Sequence, residues 1–415
     1  MNLHKKREDI ANLLEVLYLI LFAVITAYLV LGRTAFPIPW DAMMKTEEEK
    51  MRMWSRLFIV SPYYLLSVTV VLRYLIQKKY DWKMTVIGGM VLHIGRYMWQ
   101  EGGHSAVLLL TLLVVGAYKI PWKKMIKLYF MITTGILLLA IICSLLGWID
   151  NYTYVLERGT RRSFGIHSPP QFGAFVFFQI LCWWYLRKEK LTYLEAVITF
   201  GIAFFLKIFS DARTAYLSLF GVASVMVWQR YRHQQLQQKG EEYQMNKGWS
   251  MLLALAHPLA AMVIAGLTLL YSAQSDIMMK LDHWLSSRLS LGKKGFDVYG
   301  IRLFGSYVPS YTHAEEQTGI YYFIDSSYIQ LIIIYGIAVL AIVLLAFLFI
   351  SSRARVQGDS VFLWILAFAA VHAMIVPCLM DLQFCPFMLA VFADTNDGKG
   401  MEIREIFGSR KWIRK

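Results

Sequence analysis

The chain is short of charge. Only 17% of its 415 residues are Asp, Glu, Lys or Arg, against roughly 25% in ordinary globular proteins. Hydrophobic residues make up 57%, so there is too little polar surface for a soluble fold of this length. Cysteine is scarce as well. Cys143, Cys182, Cys378 and Cys385 all lie in apolar stretches without zinc or redox spacing, which excludes a disulfide framework and leaves them as packing residues. There is no HExxH, no Gly-rich phosphate loop, no paired-Asp metal motif in a connecting loop and no ordered Ser/His/Asp set. These gaps argue against the common hydrolase and nucleotide-binding chemistries, and neither a metal nor a cofactor is expected. No internal repeat is found, which weighs against transporters built from repeated halves. The ten-residue alternating segments of a strand barrel are missing too.

Long apolar runs fill the space that charge leaves. Leu13–Leu31, Leu57–Ile76, Met251–Leu270 and Tyr328–Ile350 each approach or exceed the ~20 residues needed to cross hydrocarbon. Backbone amides in lipid must be satisfied within their own segment, so these runs are helices. The expected fold is an all-α polytopic membrane protein, one integral membrane domain over 1–415, with about 12 spans. They are placed at 13–31, 57–76, 84–97, 104–118, 128–148, 172–186, 191–209, 214–229, 251–272, 327–350, 360–377 and 382–394. The last two, around Pro377, have a broken hairpin as their alternative. Lys5, Lys6 and Arg7 precede a run too long for a signal peptide and without a small-residue cleavage site, so it reads as a retained first helix.

The net charge of +14 does not point to nucleic acid, because the basic residues punctuate the gaps between spans on alternate sides. Lys and Arg are more numerous on the side that holds both termini, which makes that side the cytoplasm. The other side then carries the two larger loops, Ile149–Gln171 and Ala273–Ser326. At about fifty residues the second far exceeds the ~12–15 above which a loop is usually functional or disordered. Its aromatics, Trp284, Phe296, Phe304, Tyr307 and Tyr311 among them, suit a cover over a site or a place at the membrane interface.

Three clusters on that outer side are able to do chemistry. Arg158, Arg161, Arg162 and His167 come just before a span. A guanidinium keeps its charge and offers a fork suited to phosphate, although arginines also snorkel to lipid headgroups. Ser210-Asp211-Ala212-Arg213-Thr214-Ala215-Tyr216 joins two spans tightly. Lys207 and Asp211 are spaced for an (i, i+4) pair, which leaves Arg213 for either a ligand phosphate or the interface. The large loop supplies Ser286-Ser287-Arg288-Leu289, Arg302, Phe304-Gly305, His313, Glu315, Glu316 and Asp325-Ser326-Ser327-Tyr328. A carboxylate or histidine here is placed to take a proton from a hydroxyl nucleophile, or is simply a solvated loop residue.

In this order, the clusters resemble the O-antigen ligase and polymerase-like family of bacterial polysaccharide assembly. Arg162-Ser163-Phe164-Gly165-Ile166-His167-Ser168-Pro169 is similar to its R-x-x-G-F-x-x-P-N segment, and Ser210–Tyr216 to its S-x-S-R-T-A helix start. Ser287-Arg288-Leu289 with Leu303-Phe304-Gly305 resembles its G-R-x-x-x-W…L-F-G-x-G loop. Asp325-Ser326-Ser327-Tyr328 with Tyr335-Gly336-Ile337 resembles its closing H/D-N-S-Y-L…x-G-I pattern. The chain departs from these patterns at Pro170 and Ser326, where Asn is usual, and lacks the Trp after Arg288. Asp325 stands where ligases tend to have His, which favours a polymerase.

The resemblance implies a fold like the lipid-dependent type-C glycosyltransferases and a metal-independent glycosyl transfer in a bacterial plasma membrane. The donor would be a polyprenyl-diphosphate-linked oligosaccharide, used to build capsule, exopolysaccharide or O-antigen glycan. Arg161, Arg162, His167, Arg213, Arg288 and Tyr328 would bind substrate, with Asp325 or His313 as the base. Partners would be membrane lipids, a chain-length regulator and a flippase, and not nucleic acid. Two readings compete: a ligase passing finished glycan to another acceptor, and a flippase or exporter of the lipid-linked unit.

Overall fold

A computed structural model describes residues 2–37, 49–76, 82–102, 105–156, 159–239, 245–309 and 323–396. Helix dominates them. Four helical stretches are long and apolar enough to cross a membrane: Lys6–Leu31, Trp122–Leu145, Tyr193–Ser210 and Ile337–Val356. A fifth crossing is made if the pair Lys247–Ala254 and Ala256–Leu269, bent by 55°, counts as one span, and Ser61–Ile76, Ala106–Gly116 and Ser360–Ala373 are shorter apolar helices. The protein is therefore an all-α membrane protein, as its composition requires. The described residues gather into two compact units, within Met1–Phe175, Phe209–Asp211 and Phe392–Gly400, and within Val176–Ile208 and Ala212–Val391.

The first unit holds α1 (Asn2–Leu31), α2 (Glu49–Ile76), α3 (Trp82–Gly102), α4 (Ser105–Gly116) and α5 (Trp122–Leu145). Two polar side chains tie its apolar surfaces together. The Tyr18 hydroxyl donates to the Leu113 carbonyl at 2.6 Å. Arg73 of α2 donates to the carbonyls of Gly116 and Tyr118 at 2.9 and 3.0 Å. These are orphan acceptors at the end of α4, and satisfying them explains an arginine inside an apolar run. After α5 the chain forms an antiparallel hairpin of β1 (Thr153–Leu156) and β2 (Gly159–Arg162). In the sequence this stretch reads as part of a loop, Ile149–Gln171. Helix α6 (Pro169–Arg187) begins in this unit and continues in the second.

The second unit contains α7 (Tyr193–Phe205), α8 (Arg213–Gln238), α9 (Lys247–Ala254), α10 (Ala256–Leu269), α11 (Asp276–Trp284) and α12 (Arg288–Tyr299). It ends with α13 (Ser327–Gln330), α14 (Ile337–Val356) and α15 (Ser360–Ala373). The span expected at 327–350 is broken: a π turn at Leu331–Tyr335 ends at Gly336, with φ of 89°. Segment 302–306 crosses that break backbone against backbone. Ser306 donates to Ile333, and Ile337 and Ala338 donate to Arg302 and Leu303, at 2.9–3.1 Å. A Cβ on Gly305 would lie 2.0 Å from the Ile334 carbonyl oxygen, and one on Gly336 2.3 Å from the Gly305 nitrogen. The crossing therefore needs glycine at both positions.

The expected span at 382–394 is not a spanning α-helix. Beyond α15 the backbone is irregular, apart from a six-residue 3-10 turn at Pro386–Val391. Yet it is deeply buried: Cys378, Leu379, Cys385, Phe387 and Ala390 expose 1% or less. Ser327, near the start of the broken helix, bonds Val376 at one end. Arg353, in the last turn of α14, donates to the carbonyls of Ala390 and Val391 at the other. Irregular backbone at such depth is stable only inside protein, where its polar groups find partners.

Candidate functional site

The hairpin sets the first group of charged residues. Phe164 donates its N–H to the Asn151 side chain at 3.0 Å, and Ser163 donates to the Tyr152 carbonyl at 3.1 Å. Phe164 and Gly165 both have positive φ, 50° and 80°. A Cβ on Gly165 would come within 2.7 Å of the Ala140 carbonyl oxygen, so this turn lies against α5 only as glycine. The period of two along β2 separates the arginines. Arg162 is exposed. Arg161 faces the other way, donating to the carbonyls of Ser210 and Asp211 at 3.2 and 3.1 Å. Its guanidinium thus holds the backbone that leads into α8. His167 is exposed, with its N–H on the Arg33 carbonyl at 3.0 Å and its own carbonyl accepting from the Tyr154 hydroxyl at 3.2 Å. Partial burial, then the Arg33 charge, lowers the pKa of its imidazole below the ordinary value, so the ring is neutral at pH 7.

The Ser210–Arg213 connection is tight and strained. Leu206–Ser210 is a π turn and Asp211 has φ of 43°, so Lys207 and Asp211 do not share the regular α-helix on which their spacing was read. Arg213 follows as the first residue of a 26-residue helix whose N-cap, Ala212, offers no side-chain acceptor. It is half-buried.

The second unit assembles the centre with the most chemistry. Ser286 and Ser287 both take left-handed backbone, φ 58° and 63°, and α12 begins at Arg288. Asp282 makes that turn possible: its Oδ1 accepts from the N–H groups of Leu289 and Ser290 at 2.8 and 3.1 Å, capping the helix in place of its N-cap. Arg288 is thereby held at one point. It donates through Nε to the Ile375 carbonyl at 2.8 Å and through Nη1 to the Leu285 carbonyl at 2.9 Å. Nε also lies 3.9 Å from Asp325 Oδ2, with the two side chains only 15% and 20% exposed. A guanidinium has five N–H groups, so donors remain after both carbonyls are served. Burial raises the Asp325 pKa above the ordinary value and the Arg288 charge opposes the rise. The result is a carboxylate of increased basicity beside a fixed cation, a combination suited to proton abstraction next to developing negative charge.

Ser327 fixes the far wall. Its hydroxyl donates to the Val376 carbonyl at 2.7 Å and accepts from the N–H groups of Cys378 and Leu379 at 2.8 and 3.3 Å. This locks the segment whose Ile375 carbonyl holds Arg288.

The structure thus brings Arg288 and Asp325 together and gives Arg161 a backbone-holding role. Tyr328, expected against the substrate, is instead fully buried. Its hydroxyl is 2.9 Å from His257 Nδ1, and His257 stacks on Phe347 with ring centroids 3.7 Å apart. The tyrosine also donates to the Ala370 carbonyl at 3.3 Å, so its hydroxyl is satisfied within the core of the second unit. His313, Glu315 and Glu316 lie outside the described residues. Asp282 and the segment from Ile375 to Leu379 were missed by sequence reasoning, and Ser327, named within the third cluster, had no role assigned to it. A signal existed for Asp282, an acid six residues before a helix that starts after two serines, but none for contacts spanning fifty residues. Among the described residues no three His, Cys, Asp or Glu side chains cluster as metal ligands. No protein-family model matches the chain, and neither a curated protein nor a solved structure is similar to it.

Proposed function

We propose that the protein polymerises polyprenyl-diphosphate-linked oligosaccharide units on the outer face of a bacterial plasma membrane. The observation that carries this reading is the Arg288–Asp325 pair, a partly buried cation with N–H groups to spare beside a carboxylate of raised pKa. In the proposed reaction Asp325 takes the proton of an acceptor sugar hydroxyl. That oxygen bonds to the anomeric carbon of the donor glycan as the bond from this carbon to the diphosphate breaks. Polyprenyl diphosphate leaves, and Arg288 stabilises the charge it gains. Arg213, at the uncapped start of α8, is the further diphosphate ligand proposed. His313 is the alternative base. Twelve crossings, cytoplasmic termini and an extracytoplasmic 273–326 segment belong to this reading, with the buried Ile375–Val391 stretch replacing a helix in the last crossing. A ligase would use the same donor chemistry and differ in its acceptor.

The test is a strain lacking the gene, with surface polysaccharide and lipid-linked intermediates resolved by length. Single repeat units on lipid, accessible from outside and without long polymer, are expected. Long chains retained on lipid would mean a ligase. Single units trapped on the cytoplasmic side would mean a flippase.

A further inference from the structure

The second unit carries a groove of about 320 Å³ between the bent pair α9–α10 and α15. Leu252, Ala260 and Val263 form one wall, and Ala367, Val371 and Met374 the other. The wall formed by α9 and α10 bends by 55°, and small residues, the buried Ala260 and Ala367, face the groove from either side. It opens sideways: Leu252, Val263 and Val371 each expose about half of their surface, toward what is hydrocarbon in a membrane-spanning unit. Along α15 it runs from Trp364 to Met374, about 15 Å at 1.5 Å per residue. That is close to half of the ~30 Å hydrocarbon thickness.

Its end at Met374 adjoins the site. The next residue is Ile375, whose carbonyl accepts from Arg288 Nε at 2.8 Å. An almost wholly apolar groove, about as long as one leaflet is thick, therefore ends beside a fixed cation. This complements an amphiphile with an anionic head and one long chain. A groove at the small end of the usual ligand-site range holds a single chain, and a phospholipid would leave its second chain outside. We infer that this groove seats the polyprenyl chain of the donor, with its diphosphate at Arg288. The inference rests on the proposed function for the identity of the chain, and on the groove and Arg288 for its place.

The experiment uses the full chain in phosphatidylcholine nanodiscs and farnesyl diphosphate bearing a terminal benzophenone, with photoadducts mapped by mass spectrometry. Adducts are expected on peptides covering 252–263 and 364–374. Undecaprenyl diphosphate should displace them and phosphatidylglycerol should not. Ala367→Phe and Ala260→Phe, which fill the groove, should each lower labelling about tenfold or more, the weakening that two lost buried methylenes produce. Adducts elsewhere, or equal displacement by phosphatidylglycerol, would overturn the assignment; so would wild-type labelling of both variants. Mapping on the unaltered protein decides the matter even if a variant does not fold. Because labelling needs no turnover, the two readings separate. A labelled groove with normal polymer in the deletion strain removes the polymerase and keeps the site, whereas an unlabelled groove with accumulated single units does the reverse.

Discussion

Replacing Ser327 by Ala removes one oxygen and strands three backbone groups. Val376, Cys378 and Leu379 expose 8%, 1% and 1% of their surface, and Ser327 itself 3%, so no solvent stands ready to replace the hydroxyl. The bonds at 2.7 and 2.8 Å are well formed. A buried donor or acceptor left without its partner costs about 1–3 kcal/mol. The contact at 3.3 Å adds less, because it is long and shares its acceptor. Together the loss amounts to about 2–6 kcal/mol, confined to the segment that presents Ile375 to Arg288. Hydrogen exchange measured by mass spectrometry on the 376–380 amides reads this directly. Local opening should become about 30- to 20,000-fold more frequent, at 1.4 kcal/mol per factor of ten. Peptides from α1 and α5 serve as controls and should not change. Ser327→Thr keeps the hydroxyl, and its added methyl costs about 1–3 kcal/mol of overpacking, so it should recover part of the protection. A monodisperse Ser327→Ala protein with wild-type exchange at 376–380 would refute the clamp. The argument that this segment is fixed from Ser327 would fall with it.

Arg288→Lys keeps the charge but gives one nitrogen where the arginine serves two carbonyls and keeps donors to spare, so polymer synthesis should fall about 10- to 100-fold. Full activity in both Arg288→Lys and Arg213→Lys would sink the diphosphate assignment. The acid side of the pH profile depends on Asp325, which must be ionised to accept a proton. Burial raises its pKa, so activity should decline on acidification at a pH above the ~3.9 of an ordinary aspartate. Arg288→Gln removes the opposing charge and should move that decline to higher pH. An unchanged acid limb in Asp325→Asn would point to another base. Gly336→Ala combines a φ of 89° with a Cβ 2.3 Å from a backbone nitrogen, and should cost about 3 kcal/mol or more. A monodisperse variant unfolding at the wild-type temperature would show that the 302–306 crossing is not needed. Asp282→Ala uncaps α12 and should cost about 1–2 kcal/mol, lowering the unfolding temperature in detergent; an unchanged temperature would mean that the cap carries nothing.

Hydropathy reports that a segment avoids water, and it does not report what takes the place of water. That distinction explains where the sequence was legible. Leu13–Leu31 and the run into Ile350 are apolar because lipid faces them, and both contain helices where expected. The stretch 382–394 is apolar because protein surrounds it, so its irregular backbone reads in the sequence as a span, with a broken hairpin around Pro377 as the alternative. The sequence in and just before it held the correction: Pro377 and Pro386 cannot donate hydrogen bonds within a helix, and Asp381 and Gln383 have no place facing lipid. Arg288 and Asp325 were legible one at a time, since an ionisable residue beside a span is costly enough to need a reason. That they face each other was not, because 37 positions separate them and the turn joining them to the unit depends on Asp282 and Ser327, both silent in composition. The two glycine motifs show the same limit. Phe304-Gly305 and Tyr335-Gly336 read in the sequence as separate patterns, yet a Cβ on Gly305 would strike the Ile334–Tyr335 backbone and one on Gly336 the 303–305 backbone. A local pattern names the residues that cannot be replaced, and only the contact says why.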